Sequence, residues 1–309
     1  MERLEYGKYG GPDVVKLAPF TLADPKGNEI IVRVRAASIN PMDWKIRRGD
    51  LKVMTGFTFP RALGTDFSGI VESVGKGVSR FRVGDTVLGT VSMKRSGAFA
   101  PKLVTTDDLV VHKPSEISFV DAACLPIAGV TAWHVLIKTA GLKHGQRLFI
   151  NGATGAVGQA AIAIAKGMGV EVIGRVGPRS VEKAASLGLF QAIDYTQPLP
   201  QELDGMFDIV FDANGSLSVK EGNRLIKQGG TIIDIVPTKK KFLIALISRS
   251  RRFVFADVKA ENLQRVVQLA VAGKLTIPVA KTVSLTEAAS LLASLEGGKR
   301  LDGKAVITF

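Results

Sequence analysis

Along the first third of the chain, apolar and polar positions alternate with a period of two, in short runs. Residues 30–36 end in IVRVRA, residues 67–74 read FSGIVESV before turns at Gly75 and Gly77, and residues 85–90 form a third run. Successive side chains on a pleated strand point to opposite faces, so these runs predict strands of an antiparallel, barrel-like domain. The period changes near Ser118. Residues 118–139 predict one long apolar helix after Pro114. Strand-like and helix-like segments then alternate. Strands are predicted at 147–151, 170–174, 192–195, 207–212 and 231–236, and helices at 156–168, 180–187 and 259–272. That alternation predicts a parallel sheet covered by helices on both faces. The closing GKAVITF predicts a strand that returns to the first domain.

The most informative segment is LFINGATGAVGQAAIAIA. A buried strand runs to Asn151. The turn Gly152, Ala153, Thr154, Gly155, Ala156, Val157 and Gly158 follows, and an apolar helix begins at once. Glycines there let the backbone approach a pyrophosphate, and the helix start offers unpaired N–H groups to it. The spacing G-x-x-G-x-x-G departs from the commoner G-x-G-x-x-G, but the strand before and the helix after support a dinucleotide turn. A carboxylate about 20 residues on would bind a ribose 2′-hydroxyl and repel a 2′-phosphate. This chain instead has Gly174, Arg175, Val176, Gly177, Pro178 and Arg179. Guanidinium groups pair well with phosphate, so NADPH is expected over NADH. The competing reading leaves both arginines merely exposed on a loop. Ala213 and Asn214 follow the fourth strand, and Val236 and Pro237 the fifth. Carboxyl ends of strands bind ligands in such sheets, and backbone contact is the expected mode.

Length and charge narrow the picture. A chain of 309 residues is long enough for two cores. No run of about 18 apolar residues predicts a membrane span, and the charged start MERLEYGKYGGPD does not read as a secretion signal. The single cysteine, Cys124, rules out an internal disulfide and any zinc site built from two cysteines. A reducing, cytoplasmic setting is expected. The net charge of +13 would attract nucleic acid, anionic lipid or a phosphorylated cofactor, or would simply be a solvated face. With 6% aromatic residues and neither a zinc knuckle nor an arginine-rich tail, no nucleic-acid partner is expected.

The string AACLPIAGVTAWHVL, with GGPDVVKL, INPMDWKIRRG, FPRALGTDFSGIVESVGKGVSRFRVGDTV and GKAVITF, resembles the zinc-free quinone oxidoreductase branch of the medium-chain dehydrogenase/reductase family. The likeness covers almost the whole chain. It is nearest in look to chloroplast-envelope quinone oxidoreductase homologues and alkenal/enone reductases, which share NP-x-D-x-K. The resemblance implies an α/β fold: a GroES-like β-barrel catalytic domain from residues 1–116 and 274–309, around a Rossmann NADPH-binding domain at 117–273. It implies no metal. Asn40 stands where zinc alcohol dehydrogenases place a catalytic cysteine, and Gly64, Thr65 and Asp66 stand for their Gly-His-Glu. No ligand-type side chain lies near Ile127, and the four-cysteine lobe is absent.

The resemblance also carries residue roles, each with a plainer rival. Lys45 is expected to face substrate as an oxyanion donor, or to be one surface cation beside Arg47 and Arg48. Asn40 is expected near the nicotinamide, bonding its ribose or the substrate, or else holding the loop before Pro41. Asp43 and Asp66 are expected to tie backbone. Thr131 borders the nicotinamide or packs its helix. Tyr195 borders the adenosine 2′-phosphate or closes a strand edge. Cys124 reads as a buried, inert thiol, and His112, His134 and His144 receive no role. The implied activity is hydride transfer from NADPH to enones, enals or quinones. The alternative is a nucleotide-binding structural or membrane-associated module with little turnover. A homodimer is expected through an edge strand at residues 251–257, because FVFA would otherwise leave an apolar edge open. Residues 239–255, KKKFLIALISRSRRFVF, allow three readings: a substrate-lobe helix with the subunit-edge strand, a peripheral membrane contact, or a nucleic-acid patch.

Overall fold

A computed structural model describes residues 1–182, 186–236 and 238–309. The chain divides into two compact units. The first comprises Met1–Ile127, Val258–Val271 and Ile277–Phe309, and the second Ala128–Asp257 with Ala272–Thr276. In chain order the first unit begins with β1 (Glu2–Tyr6), β2 (Val15–Pro19), β3 (Glu29–Ser38), α1 (Pro41–Arg48), α2 (Lys52–Thr55) and β4 (Arg61–Ala62). It continues with β5 (Asp66–Val74), β6 (Thr86–Thr90), β7 (Lys102–Thr106), β8 (Val110–His112) and α3 (Phe119–Cys124). Then come α4 (Pro126–Trp133), β9 (Arg147–Asn151), α5 (Ala156–Gly167), β10 (Glu171–Val176), β11 (Gln191–Asp194) and β12 (Phe207–Asp212). The second unit ends with α6 (Val219–Leu225), β13 (Ile226–Asp234), α7 (Lys239–Ile247) and β14 (Arg251–Phe253). The first unit closes with α8 (Ala260–Val271), β15 (Val279–Val283), α9 (Leu285–Glu296) and β16 (Lys304–Thr308).

The first unit has the GroES-like architecture. Its larger sheet runs β15-β16-β3-β5-β6-β8, with β7 also on β3, and a smaller sheet runs β2-β1-β4. The period-two pattern does its expected work. Val32, Val34, Phe67, Val71 and Val87 turn inward onto one core, with Phe99 and Ile307. The terminal strand does return: β16 lies antiparallel to β3, pairing Val306 with Ser38 and Ile307 with Ala37. On the other flank of β3, Ser38 pairs with Asp66 of β5. This register sets the ends of three strands side by side, and the polar site described below is built there.

The second unit is a parallel sheet in the order β11-β10-β9-β12-β13-β14. The chain starts at the middle strand and winds out in both directions, which is the doubly wound Rossmann arrangement. Phe149, Ile173, Phe207, Val210 and Ile232 are buried in its core. β14 ends the sheet, paired to β13 on one side.

The structure departs from the apolar pattern at four places. The helix predicted over 118–139 is broken into α3 and α4, followed by a π-helical turn at His134–Thr139. Pro126 has no N–H to continue α3, and Leu125 instead closes it with a tight bond to Ala122 O. The NP-x-D-x-K segment, to which the apolar pattern assigns no element, is a helix. Asn40 precedes it in extended conformation, Pro41 takes the first helical position, and the Asp43 carboxylate accepts the Asn40 N–H at 2.7 Å. The strand expected at 251–257 is shorter, spanning Arg251–Phe253. Of the helix predicted at 180–187, residues 183–185 lie outside the described residues, and a 3-10 turn occupies Pro178–Ser180.

Gly64 delivers Thr65 and Asp66 to the site. Its φ is +91°, and a Cβ there would sit 2.4 Å from a carbon of the Phe99 ring. Gly64→Ala therefore combines a left-handed backbone with overpacking. It should lower the unfolding free energy by about 2–4 kcal/mol in urea denaturation. An unchanged midpoint would refute that account.

Candidate active site

In the first unit the strand register assembles a buried polar cluster. Asn40, Asp43, Thr65, Asp66 and Lys304 are all buried. The Asn40 amide donates from Nδ2 to Asp66 Oδ2 at 3.0 Å and to the Ser38 carbonyl at 3.4 Å. Its Oδ1 accepts from Lys304 Nζ at 2.7 Å. Lys304 also lies 3.8 Å from Asp66 Oδ2, which accepts the Ile127 N–H at 3.2 Å. Thr65 donates to Asp43 Oδ1 at 3.3 Å. Asp66 Oδ1 and Ser38 Oγ make no hydrogen bond among the described residues. Asn40 is thus buried, with both ends of its amide engaged inside the protein. Asp43 and Asp66 hold backbone, as expected of them.

Burial governs the protonation of this cluster. It pushes Asp43 from 3.8 up to about 7, opposed by the Asn40 N–H and reinforced by the Asp66 charge. It pushes Asp66 to about 6, opposed chiefly by the Lys304 ammonium. The Cys124 thiol is buried and pushed up to about 12, which makes it a poor nucleophile.

On α1, three cations meet different fates. Arg47 is fully buried and bonds the Gly10 carbonyl and Glu296. Arg48 pairs with Asp50. Lys45 is half-buried, and its ammonium makes no ion pair or hydrogen bond among the described residues. Burial holds its pKa below the usual lysine value, opposed by Asp50 and assisted by Arg48.

In the second unit, loops at the carboxyl ends of the strands converge. Gly152, at φ +86°, approaches Asn214: a Cβ on it would lie 3.1 Å from Asn214 Cβ. A Cβ on Gly158 would sit 2.4 Å from the Gly152 carbonyl oxygen and 2.6 Å from that of Ala153. Only glycine permits the sharp turn there. Gly155 precedes α5 with no side-chain cap, so the first-turn N–H groups at Ala156, Val157 and Gly158 face no capping oxygen. Thr154 and Gly155 are not buried. Ala213 N–H bonds the Asn151 carbonyl, while Asn214 is exposed and bonds Asn151 and Ser216. A Cβ on Gly215 would meet Val236 at 2.8 Å. Pro237 lies outside the described residues. Thr131 is buried on α4.

The two arginines separate. Arg175 donates to Glu221 at 3.0 Å and to the carbonyls of Tyr195 and Gln197. Arg179 is exposed on the 3-10 turn and makes no ion pair or hydrogen bond among the described residues. Gly177 stands beside the ring of Tyr195, a residue 59% exposed, at the same strand ends.

Several site residues escaped the sequence reading. Lys304 is the foremost. Its signal is a lysine opening an otherwise apolar strand, KAVIT. Lys241 and Arg251 are buried too. Lys241 pairs with Asp212 and with Asp234 at 3.1 Å, and Arg251 with Asp234. Two cations of the 239–255 segment are therefore spent internally. Leu243, Leu246 and Ile247 of α7 remain exposed. No helix among the described residues is long and apolar enough to cross a membrane.

The alcohol dehydrogenase GroES-like domain family matches residues 26–115, and the family described as zinc-binding dehydrogenase matches 187–307. The chain is 33% identical to the chloroplast envelope quinone oxidoreductase homolog of Arabidopsis thaliana, over 99% of this chain and 96% of that protein. It is 34% identical to the NADPH-dependent alkenal/one oxidoreductase of the same plant, over 75% of this chain and 62% of that one. Among solved structures, the Coxiella burnetii quinone oxidoreductase superposes with a TM-score of 0.90 at 28% identity, covering 100% of this chain and 99% of that one. The Escherichia coli quinone oxidoreductase complexed with NADPH gives 0.86 at 26%, covering 100% of both.

The raised acids fix a pH dependence. An acid whose folded pKa exceeds its unfolded value of 3.8 holds its proton more tightly when folded. Stability from that proton is full below about pH 4 and is lost as pH rises towards 7. Asp43→Asn does not ionise. Its unfolding free energy relative to the parent should rise by ~1 kcal/mol or more between pH 5 and 8, since one pKa unit is about 1.4 kcal/mol. A pH-independent difference in paired denaturation curves would count against burial as the cause.

Proposed function

We propose the function from one premise, that the chain belongs to the medium-chain dehydrogenase/reductase family, in its quinone oxidoreductase group. Its activity is NADPH-dependent hydride transfer, without zinc, to the conjugated double bond of an enone or enal, or to a quinone. The observation that carries this reading is a pairing in the second unit. A glycine cradle closes against its own carbonyls at the end of β9, and Arg179, exposed and without an ion pair or hydrogen bond among the described residues, follows β10. Pyrophosphate fits the first and a 2′-phosphate the second. The cradle residues Gly152 to Gly158, with the backbone at Ala213 and Val236, would hold the cofactor. The E. coli structure with NADPH and the Arabidopsis relative named for NADPH support the same choice.

Zinc does not fit the donor set. A zinc site needs three or four nitrogen, sulfur or carboxylate ligands. Here the candidate positions offer an amide, a threonine hydroxyl and one carboxylate, and the amide oxygen already accepts from an ammonium. Among the described residues no group of three histidine, cysteine or acidic side chains could hold a metal.

Bound NADPH would supply hydride to the β-carbon of the acceptor. The electron pair then collects on the acceptor's carbonyl oxygen, and a proton completes the product. Lys45, the α1 cation whose side chain has no ion pair or hydrogen bond among the described residues, is the proposed donor to that oxygen. An ammonium shielded from water stabilises such a charge by a few kcal/mol.

Three measurements test the proposal. Stopped-flow oxidation of bound NADPH by a panel of enones and quinones should be rapid and should survive prolonged dialysis against chelator. Tight binding without oxidation by any acceptor would favour a nucleotide-binding module. Lys45→Met should cut kcat/KM for enones ten- to a hundredfold, about 1.4–2.8 kcal/mol, with NADPH affinity nearly unchanged. Wild-type kinetics would leave Lys45 a surface charge. Arg179→Ala should narrow the preference for NADPH over NADH by about 1.5–3 kcal/mol in fluorescence titration. Arg175→Ala should act mainly on stability. Equal affinity of the unaltered protein for both cofactors would remove the claim.

A further inference from the structure

We propose that Lys304 is a positioning residue: its ammonium is the resident cation of the buried Asn40–Asp66 pocket and fixes the orientation of the Asn40 amide. An ammonium only donates, so the group facing it must be an acceptor. Asn40 Oδ1 takes that place at 2.7 Å. Nδ2 is thereby turned to two acceptors, Asp66 Oδ2 at 3.0 Å and the Ser38 carbonyl at 3.4 Å. The flipped amide would set its NH₂ against the ammonium and its oxygen against a carboxylate and a carbonyl. One orientation makes all three of these hydrogen bonds, and the opposite one makes none of them.

The pocket needs this charge. Lys304 and Asp66 are 4% and 0% exposed, too dry for water or salt to replace the ammonium. By resemblance, Asn40 and Asp66 stand where zinc alcohol dehydrogenases carry a catalytic cysteine and the acid of Gly-His-Glu. In this chain the positive charge at those positions is attached to its own β16. The positioning extends outward, because Asn40 is also the N-cap residue of α1. Lys45 lies on that helix, five residues on from Asn40. Lys304 thus anchors the helix start through Asn40 without itself touching substrate.

The catalytic part of this inference rests on the proposed reductase activity, so the test has a structural arm and a kinetic arm. The Asn40 side-chain NH₂ pair is followed in ¹⁵N–¹H spectra of deuterated protein, assigned with Asn40→Asp. It should be a protected pair in the parent and in Lys304→Arg. In Lys304→Met it should exchange with solvent at least tenfold faster. If the Met variant does not fold, Lys304→Gln, which keeps a donor without the charge, takes its place. In the kinetic arm the neutral variant should lose about tenfold in enone kcat with NADPH Kd within twofold, and Lys304→Arg should recover most of the loss. Unchanged protection of the Asn40 pair in the neutral variant overturns the proposal. So does a lowered melting temperature with the pair and kcat both intact. If the parent reduces no acceptor, the reductase reading fails, and the exchange arm still decides the role of Lys304.

Discussion

Charge taken out of water at the ends of strands is the constraint on which both units depend. Each buried ion forfeits several kcal/mol of hydration, which returns only when partners are placed well. In the first unit Lys304, Asp66 and Asn40 meet that condition through the pairing of β16, β3 and β5. A slip of one residue in either pairing would turn each side chain to the opposite face and strand a charge in the core. In the second unit Lys241 and Arg251 stand against Asp212 and Asp234 at the ends of β12 and β13. Those same strand ends carry the loops that converge on the glycine turn. Strand register, loop position and polar chemistry are therefore set together, and a substitution in one of these clusters has effects on both folding and the site.

Much of the architecture was legible because periodicity is local. β9 and β12 fall where the apolar runs predict them, since a buried parallel strand is bounded by its own residues. The glycine turn was legible for a related reason: Gly152 and Gly158 meet within the turn itself. α1 was missed as a helix because NPMDWKIRR lacks a clear apolar stripe, although Asn-Pro-x-Asp is a helix-start signal. The break at Pro126 was also readable and was overridden by the long apolar run around it.

What escaped was non-local. Lys304 finds Asn40 across 264 positions, and nothing near either residue announces the other. Arg175 and Arg179 look equivalent in sequence, four positions apart. Glu221, 46 positions beyond Arg175, engages one and not the other. Lys241 and Arg251 read as parts of a basic surface run, yet their partners lie on neighbouring strands and draw them inside.

The separation of the two arginines has an evolutionary side. Arg175 is a strut: its guanidinium ties the end of β10 to α6 and to the loop after β11. Arg179 stands on an exposed turn and makes no ion pair or hydrogen bond among the described residues. A substitution at position 179 therefore breaks no contact among the described residues, whereas one at position 175 breaks three. On the proposed reading, cofactor choice would be a trait open to single-step change, held apart from the contacts that keep β10 in place.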